Sequence, residues 1–221
     1  MKKNVMIVYA HPEPTSLTRE LVEVSVQTLQ EQGHEVTLSD LYGMHWKAVF
    51  DERDFPTRAN PDRLSFVTES GHAYSTGQQT ADVTSEQQKL LAADTVIFHF
   101  PLWWFSMPAI LKGWVDRVFV YGRIYGNGLT FETGPLKGKR AMLALTTGGP
   151  ESSYSEGGVH GDLDVLLHSV HHGMFRFTGM EALTPFVAWG AGWADDATRQ
   201  DYLDAFGSRL AELAAADAAA A

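Results

Sequence analysis

Three consecutive aromatic residues, Trp103, Trp104 and Phe105, follow an apolar run that ends at Pro101. A short run rich in β-branched and aromatic residues is typical of a buried strand, here predicted at 95–98. Three adjacent rings in a turn cannot all face one core, so we expect part of the cluster to contact a ligand; the alternative is that the rings are only core. In open α/β sheets ligands bind outside the carboxyl ends of the strands, and flat rings suit a flat ligand.

A second motif, Thr146-Thr147-Gly148-Gly149, ends the apolar run at 141–145. Two glycines let backbone N–H groups approach the edge of a ligand, because no side chain blocks the approach. Tyr154 and His160 follow in the next loop, and they supply a hydroxyl and an imidazole that can donate hydrogen bonds or hold a proton. The alternative is a flexible loop with a surface histidine.

A polar turn follows the first apolar run, Asn4–Tyr9, and leads into a helix predicted to begin near Ser16. Helix N-termini have free N–H groups and partial positive charge, so the turn is a candidate phosphate site. Its candidate residues are His11, Thr15, Ser16, Leu17 and Thr18. The alternative is that Ser16 is an ordinary N-cap, and the turn lacks the glycines of a Rossmann or P-loop fingerprint.

Composition narrows the class of protein. The chain has 221 residues, no cysteine and a formal net charge of -10. The lack of cysteine excludes disulfides, thiolate metal sites and cysteine nucleophiles, and the acidic balance argues against non-specific nucleic-acid binding. No apolar run approaches the roughly 20 residues that cross a membrane, and the first run lacks a signal-peptide cleavage site, so we expect a cytoplasmic protein with small ligands.

Five predicted strands alternate with helices along the chain. This pattern predicts an α/β fold with a doubly wound, five-stranded parallel sheet in the order 2-1-3-4-5. Pro108 suits the start of the helix after the aromatic cluster, residues 84–88 suit the cap and first turn of the preceding helix, and 181–189 suits the fifth strand. We expect one domain, 1–221, with a long irregular insertion at about 42–83 that is functional, partly helical or wrapped on a partner.

The segment at 100–114 reads FPLWWFSMPAILKGW. It closely resembles the flavin-binding segment of the NAD(P)H:quinone oxidoreductases, the DT-diaphorase branch of the flavodoxin-like flavoproteins. The same family carries a histidine and then threonine-serine after its first strand, which His11, Thr15 and Ser16 match. It also carries threonine-threonine-glycine-glycine followed by a tyrosine and a histidine. The resemblance covers about residues 4–210 and implies a flavodoxin-like fold.

The resemblance implies FAD as the cofactor, with FMN less favoured, and NAD(P)H as the hydride donor. Gly148 and Gly149 suit the pyrimidine side of a flavin, and Arg199 matches a family position near the adenine end of FAD. The residues that match the family's flavin contacts are His11, Thr15, Ser16, Leu17, Thr18, Pro101, Leu102, Trp103, Trp104, Phe105, Thr146, Thr147, Gly148, Gly149, Tyr154 and Arg199.

The resemblance also implies catalytic and substrate residues. Tyr154 and His160 match the pair credited with handling the charge that develops on the flavin during hydride transfer. The residues that match donor and quinone contacts are Trp104, Phe105, Tyr125, Gly148, Gly149, His160 and Phe177. A second family tyrosine is replaced by Asn127, which leaves the quinone preference open. Phe177 and the stretch at 42–83 match places where family subunits meet, which implies a homodimer.

Together these assignments predict FAD-dependent, two-electron reduction of quinones or similar electrophilic acceptors by NAD(P)H. Donor and acceptor would use one pocket in turn, which predicts ping-pong kinetics. Four alternatives stay open: a flavin-containing regulatory subunit of a potassium efflux system, an FMN-dependent reductase of azo or nitro compounds, a one-electron FMN flavodoxin, and a binding module without flavin. We expect no nucleic-acid partner, no membrane insertion and no metal, although the helix after Asp162 carries three histidines, His168, His171 and His172.

Overall fold

The computed structural model describes residues 2–219, and its centre is a sheet of six parallel strands. The strands are β1 (Asn4–Tyr9), β2 (Glu35–Asp40), β3 (Thr95–Pro101), β4 (Arg140–Thr146), β5 (Glu181–Ala182) and β6 (Phe186–Ala188). Their order is β2-β1-β3-β4-β5, with β6 also paired to β4, so the predicted order is confirmed. β1, β3 and β4 are buried along most of their length, as expected for parallel strands covered on both faces.

Within residues 2–219, six α-helices join the strands. They are α1 (Leu17–Glu31), α2 (Phe66–Ser75), α3 (Ala81–Ala92), α4 (Ala109–Val118), α5 (Leu163–Val170) and α6 (Asp196–Ala219). A π-helical stretch, His171–Arg176, continues α5, and short 3₁₀ turns lie at Glu52–Asp54, Phe131–Thr133 and Glu151–Tyr154.

Successive residues of β3 contribute to different hydrophobic cores, because side chains alternate along a strand. Phe98 belongs to the core with Trp114 of α4 and Leu167 of α5. Ile97 belongs to the core with Leu21 of α1 and Phe206 of α6. The helices therefore cover both faces of the sheet and leave the carboxyl ends of the strands accessible from one edge.

The helix beside the candidate phosphate turn begins as predicted. Ser16 is the N-cap of α1, and its Oγ accepts the backbone N–H of Arg19 at 3.2 Å. Pro108 directly precedes the first residue of α4, also as predicted. Both starts depend on local chemistry, a side-chain acceptor at one and a fixed backbone angle at the other.

The prediction that residues 84–88 form the cap and first turn of the helix before β3 is wrong. α3 begins at Ala81, after Thr80. Glu86 belongs to the middle of this helix, and its side chain is fully buried in the protein. The Glu86 carboxylate accepts the Nε1–H of Trp114 at 2.8 Å and pairs with the ammonium of Lys89. An acidic residue that sequence alone assigns to an exposed first turn is therefore a paired charge in the core.

The predicted fifth strand at 181–189 is interrupted. It consists of β5 and β6, and Pro185 lies between them. Proline has no N–H to donate to a sheet ladder, which accounts for a break at this point. Both halves pair in parallel with β4, so the strand order is unchanged.

The stretch at 42–83 is not irregular throughout, because it contains α2 and a 3₁₀ turn. Arg117 of α4, only 2% exposed, holds it to the rest of the chain. Its guanidinium donates to Asp54 at 2.7 Å and to Asp82 at 2.6 Å, and lies 4.4 Å from the ring centre of Trp46. The insertion is therefore packed against α3 and α4 and is not a free loop.

Candidate active site

A cavity of about 720 Å³ lies at the carboxyl ends of β3, β4 and β6, beside the turn after β1. We call it the ring cavity. Its lining residues are His11, Pro101, Leu102, Trp103, Trp104, Phe105, Thr146, Thr147, Gly148, Gly149, Tyr154, His160, Ala191 and Gly192. The fold thus brings together predicted site residues from three separate loops, in a volume typical of small-molecule sites.

The aromatic turn has a strained backbone. Trp104 and Phe105 have φ angles of 51° and 59°, and the N–H of Ser106 donates to the carbonyl of Trp103 at 3.0 Å. A two-residue turn with both central residues left-handed normally contains asparagine or glycine, and other residues cost roughly 1–2 kcal/mol each. Trp104 is 94% exposed, so burial of its ring does not offset this cost. Such strain is typical of functional sites.

Four backbone donors at the ring cavity are unused. The N–H groups of Trp104, Phe105, Gly148 and Gly149 have no hydrogen-bond acceptor among residues 2–219. A Cβ added to Gly148 would meet nothing within 4 Å, so its missing side chain leaves space that a ligand can use. Donors on two loops and flat rings beside them suit a flat heteroaromatic ligand with polar edges.

Tyr154 and His160 lie together beside these donors. Their ring centres are 4.9 Å apart, and the ring of Phe105 lies 5.4 Å from that of His160. A Cβ on Gly149 would lie 3.3 Å from Nε2 of His160, which places the imidazole against the glycine backbone. The Tyr154 ring also contacts Trp189, with centres 5.4 Å apart. A hydroxyl and an imidazole are thus held where a ligand's polar edge would meet the glycines.

The turn after β1 offers donors for an anion. Nδ1 of His11 accepts the N–H of Glu13 at 3.0 Å, so the neutral ring carries its proton on Nε2. Burial lowers the pKa of His11 and favours this neutral form. The N–H groups of Leu17 and Thr18 have no acceptor among the described residues, as expected in a first helical turn.

Thr18 contributes differently from the sequence expectation. Its side chain is 1% exposed, and its hydroxyl bonds the hydroxyl of Thr146 at 2.9 Å. The side chain therefore joins the start of α1 to the end of β4, and only the backbone N–H is free toward a phosphate.

Arg199 of α6 lies beside the same turn. Its Nη2 is 2.8 Å from the carboxylate of Glu20 and donates to the carbonyl of Thr15 at 3.3 Å. The hydroxyl of Thr15 donates to Glu13 at 2.8 Å. Residues 15–18 and Arg199 are thus at the start of α1, next to the ring cavity and not among its lining residues.

Tyr125 and Phe177 are not in the ring cavity. Their ring centres are 6.0 Å apart, and both line a second cavity of about 540 Å³. The other residues of this second cavity are Phe50, Phe66, Val115, Asp116, Phe119, Gly173, Met174 and Thr178. One chain therefore does not place Tyr125 and Phe177 against Trp104 and Phe105. The reason is topological: they belong to the loop after α4 and to the end of the π-helical stretch.

Sequence reasoning missed the loop after β6. Ala191 and Gly192 line the ring cavity, and the N–H of Ala191 donates to the carbonyl of Thr147 at 2.8 Å. The N–H of Gly190 donates to the carbonyl of Gly149 at 3.0 Å. The Gly-Ala-Gly run after an apolar segment was the available signal, since it repeats the small-residue character of the Gly148-Gly149 loop.

His168 lies near the end of α5, and His171 and His172 begin the π-helical stretch. His168 and His172 stack with ring centres 5.0 Å apart. Within residues 2–219, no three metal-ligating side chains converge. No helix in the same range is both long and apolar enough to cross a bilayer.

The sequence matches the family described as flavodoxin-like fold over residues 3–211. It is 49% identical to a ribosyldihydronicotinamide dehydrogenase-like protein of Penicillium crustosum, over 84% of this chain and 72% of that protein. It is 37% identical to NAD(P)H dehydrogenase [quinone] 1 of Cavia porcellus, over 96% of this chain and 77% of that protein. The chain belongs to the NAD(P)H dehydrogenase (quinone) family. A Klebsiella pneumoniae structure described as a candidate quinone reductase superposes with a TM-score of 0.93 at 43% identity, covering 96% of this chain and 85% of that one.

Membership in the NAD(P)H dehydrogenase (quinone) family makes the chain an oxidoreductase of flavodoxin-like fold. It agrees with the resemblance carried by the segment at 100–114, which forms the end of β3, the strained aromatic turn and the start of α4. The family's fold thus puts the most specific sequence motif of this chain at the ring cavity.

Proposed function

We propose that this chain is an FAD-dependent NAD(P)H:quinone oxidoreductase. The chemistry that a bound flavin would supply is the transfer of a hydride from NAD(P)H to a quinone. The observation that carries the proposal is the ring cavity, where exposed aromatic rings surround one space with the N–H groups of Trp104, Phe105, Gly148 and Gly149, which have no acceptor in the described part of the chain. Relatives named as quinone dehydrogenases support the same activity.

The loops after β3 and β4 each have a part in this proposal. The rings of Trp104 and Phe105 provide flat surface beside the isoalloxazine, and the N–H groups of Gly148 and Gly149 donate to its polar edge. Tyr154 and His160 donate hydrogen bonds where negative charge develops during hydride transfer, which lowers the barrier because the donors are already in place.

We favour FAD over FMN because two groups that can bind a phosphate lie beside the turn after β1, outside the ring cavity. The free N–H groups of Leu17 and Thr18 suit one phosphate, and the guanidinium of Arg199 beside Thr15 suits a second. FMN has only one phosphate and would leave Arg199 with its bonds to Glu20 and Thr15.

The hydride donor has a second candidate. None of the residues that line the ring cavity or the second cavity is lysine or arginine, so neither lining offers an ammonium or guanidinium partner for the phosphates of NAD(P)H. A relative of 40% identity is named ribosyldihydronicotinamide dehydrogenase [quinone]. We therefore propose that NADH, NADPH and ribosyldihydronicotinamide be compared as hydride donors. Ribosyldihydronicotinamide carries the nicotinamide without phosphates.

A homodimer completes the proposal. Tyr125 and Phe177 match family residues of the donor and quinone pocket, and in one chain they line the second cavity. A second copy could bring them against Trp104 and Phe105 of the first. The exposed apolar side chains of the 42–83 stretch, Met44, Val49, Phe66 and Val67, favour such an interface.

The colour and reactivity of the purified protein test this function. We expect a yellow protein that NAD(P)H bleaches and a quinone turns yellow again, with FAD as the cofactor released on denaturation and identified by chromatography. A protein that stays colourless after incubation with FAD and with FMN would exclude the proposal. Release of FMN would favour an azo or nitro reductase or a one-electron flavodoxin, and reduction by NAD(P)H without quinone turnover would favour the regulatory subunit.

A further inference from the structure

Thr147 connects the glycine loop of the ring cavity to the loop after β6. Its side chain is 3% exposed, and its hydroxyl donates to the carbonyl of Gly149 at 2.8 Å. The same hydroxyl oxygen accepts the N–H of Gly190 at 3.3 Å. This buried hydroxyl therefore donates its only proton to the glycine loop and accepts a hydrogen bond from the loop after β6.

The backbone of Thr147 is fixed on both sides as well. Its N–H donates to the carbonyl of Ala188 at 3.1 Å, and its carbonyl accepts from Ala191 at 2.8 Å. In a trans peptide the C=O and N–H point in opposite directions. Since the Thr147 carbonyl faces Ala191, the N–H of Gly148 faces away from the loop after β6.

The glycine loop needs this external support. Gly148 and Gly149 have no side chains to restrict their backbone, and glycine has the widest range of accessible conformations. The carbonyl of Gly149 has two donors, the hydroxyl of Thr147 and the N–H of Gly190 at 3.0 Å. Of the two, only the hydroxyl can be removed by changing a side chain.

We propose that Thr147 is a positioning residue for the flavin. Its hydroxyl holds the carbonyl of Gly149 so that the N–H groups of Gly148 and Gly149 stay directed at the polar edge of the ring. This inference rests on the proposed function, and it assigns the hydroxyl a role through Gly149 in addition to any contact that Thr147 itself makes.

Two substitutions separate this role from packing. Thr147→Ser keeps the hydroxyl and loses a methyl group, whereas Thr147→Val keeps the shape and loses the hydroxyl. The valine variant still has the N–H of Gly190 on the Gly149 carbonyl. We therefore expect it to fold, with a stability loss of the size usual for the two hydrogen bonds that this hydroxyl makes.

The control is a hydroxyl of similar kind away from both cavities. Thr84 of α3 is partly buried, and its hydroxyl donates to the carbonyl of Thr80 at 3.2 Å within the helix. Thr84→Val removes a side-chain hydrogen bond to a backbone carbonyl, as Thr147→Val does, although Thr147→Val also removes the acceptor of the Gly190 N–H. Thr84→Val should leave flavin binding unchanged.

The experiment measures dissociation constants for FAD, FMN and riboflavin, and the midpoint potential of the bound flavin, in the parent and these three variants. We expect Thr147→Val to weaken all three flavins by a similar factor of about ten, because the lost positioning acts on the ring that they share. We also expect a more negative potential, since poorly directed N–H donors stabilise the negative edge less. Thr147→Ser should restore both values.

Several outcomes would overturn the proposal. Thr147→Val with the parent's affinities and potential would mean that the hydroxyl is only structural, and failure of Thr147→Ser to restore them would assign the effect to the methyl group. If Thr147→Val does not fold, Thr147→Ala is the second hydroxyl-free variant, and the same comparison with serine decides. A parent protein that binds no flavin would remove the proposed function itself, whereas the other outcomes remove only the role of Thr147.

Discussion

Trp104 combines left-handed backbone, at φ 51°, with almost complete exposure. Glycine adopts this φ without steric cost but loses roughly 0.5–1 kcal/mol of backbone entropy, against a strain of about 1–2 kcal/mol for the tryptophan. We predict that Trp104→Gly leaves the cofactor-free protein as stable as the parent or slightly more stable, while flavin or quinone binding weakens.

The control for this prediction is Trp104→Ala, which also loses the ring but keeps a Cβ in the left-handed conformation. Both variants should bind more weakly than the parent, and thermal unfolding should rank the glycine variant above the alanine variant. A glycine variant that unfolds at a lower temperature than the alanine variant would show that the turn is not strained.

His160 lies against Gly149 and beside Tyr154, so it can donate to a ring edge that gains negative charge. We predict that His160→Gln slows flavin reduction by about tenfold with FAD still bound. This is less than the roughly 10² usual for loss of one such donor, because Tyr154 remains and the flavin itself is reactive.

Stopped-flow absorbance measures that rate, and His34→Gln is its matched control. His34 lies just before β2, at the amino ends of the strands and away from the ring cavity. There its ring accepts the N–H of Lys3. Equal rates for His160→Gln and the parent across neutral pH would reduce His160 to a loop residue.

His99 lies in β3 and is packed between α1 and α6. It is fully buried, its Nε2 lies 3.0 Å from the hydroxyl of Ser25 on α1, and its ring meets Phe206 of α6 edge to face. The Ser25 hydroxyl donates to the carbonyl of Leu21, so it accepts the hydrogen of Nε2. Burial lowers the pKa of His99 to about 3.

This burial predicts a pH dependence of stability. In the unfolded chain His99 takes up a proton near its ordinary pKa of about 6.5, whereas in the folded chain it stays neutral down to about pH 3. The stabilising contribution is therefore present above pH 6.5 and is lost as the pH falls toward 3, by about 1.4 kcal/mol for each pH unit. We predict that the free energy of unfolding falls less steeply between pH 6.5 and about 4.5 in His99→Gln than in the parent.

Denaturant unfolding across that pH range measures both slopes. Glutamine can still donate to Ser25, and any packing loss shifts the whole curve without changing its slope. Parallel curves for parent and variant would mean that His99 gains a proton in the folded state too.

The distribution of aromatic residues over two cavities predicts that two chains share each site. Trp104 lines the ring cavity and Phe177 lines the second cavity. If two chains form each site, Trp104→Ala removes a ring that one chain contributes to the site, and Phe177→Ala removes a ring that the other chain contributes. We predict that each variant alone raises KM for the quinone, and that a mixed dimer of the two regains one intact site, with about half the parent's activity per dimer.

Differently tagged chains, co-expressed and purified in tandem, supply the mixed dimer, and sedimentation supplies the mass. The control is a mixed dimer in which both substitutions are on the same chain, opposite a parent chain. In that arrangement each site loses one of these rings, so no intact site remains. A stable monomer with full turnover, or a mixed dimer no more active than its parents, would contradict a shared site.

Much of this protein follows from local signals in its sequence. The apolar runs predict β1, β3 and β4, Ser16 and Pro108 mark the starts of α1 and α4, and the alternation of strands and helices leads to the confirmed strand order. These features depend on side-chain periodicity, capping and fixed backbone angles within a few residues, so the sequence shows them directly.

The contacts between distant loops follow only from the tertiary structure. It bonded Thr18 to Thr146 across 128 positions, brought Gly190 onto Thr147, and placed Glu86 in the core under Trp114. It also left particular N–H groups without acceptors at the ring cavity and separated Tyr125 from it. Which groups are paired, buried or left free depends on contacts between distant segments, and those contacts exist only after the sheet and helices have assembled.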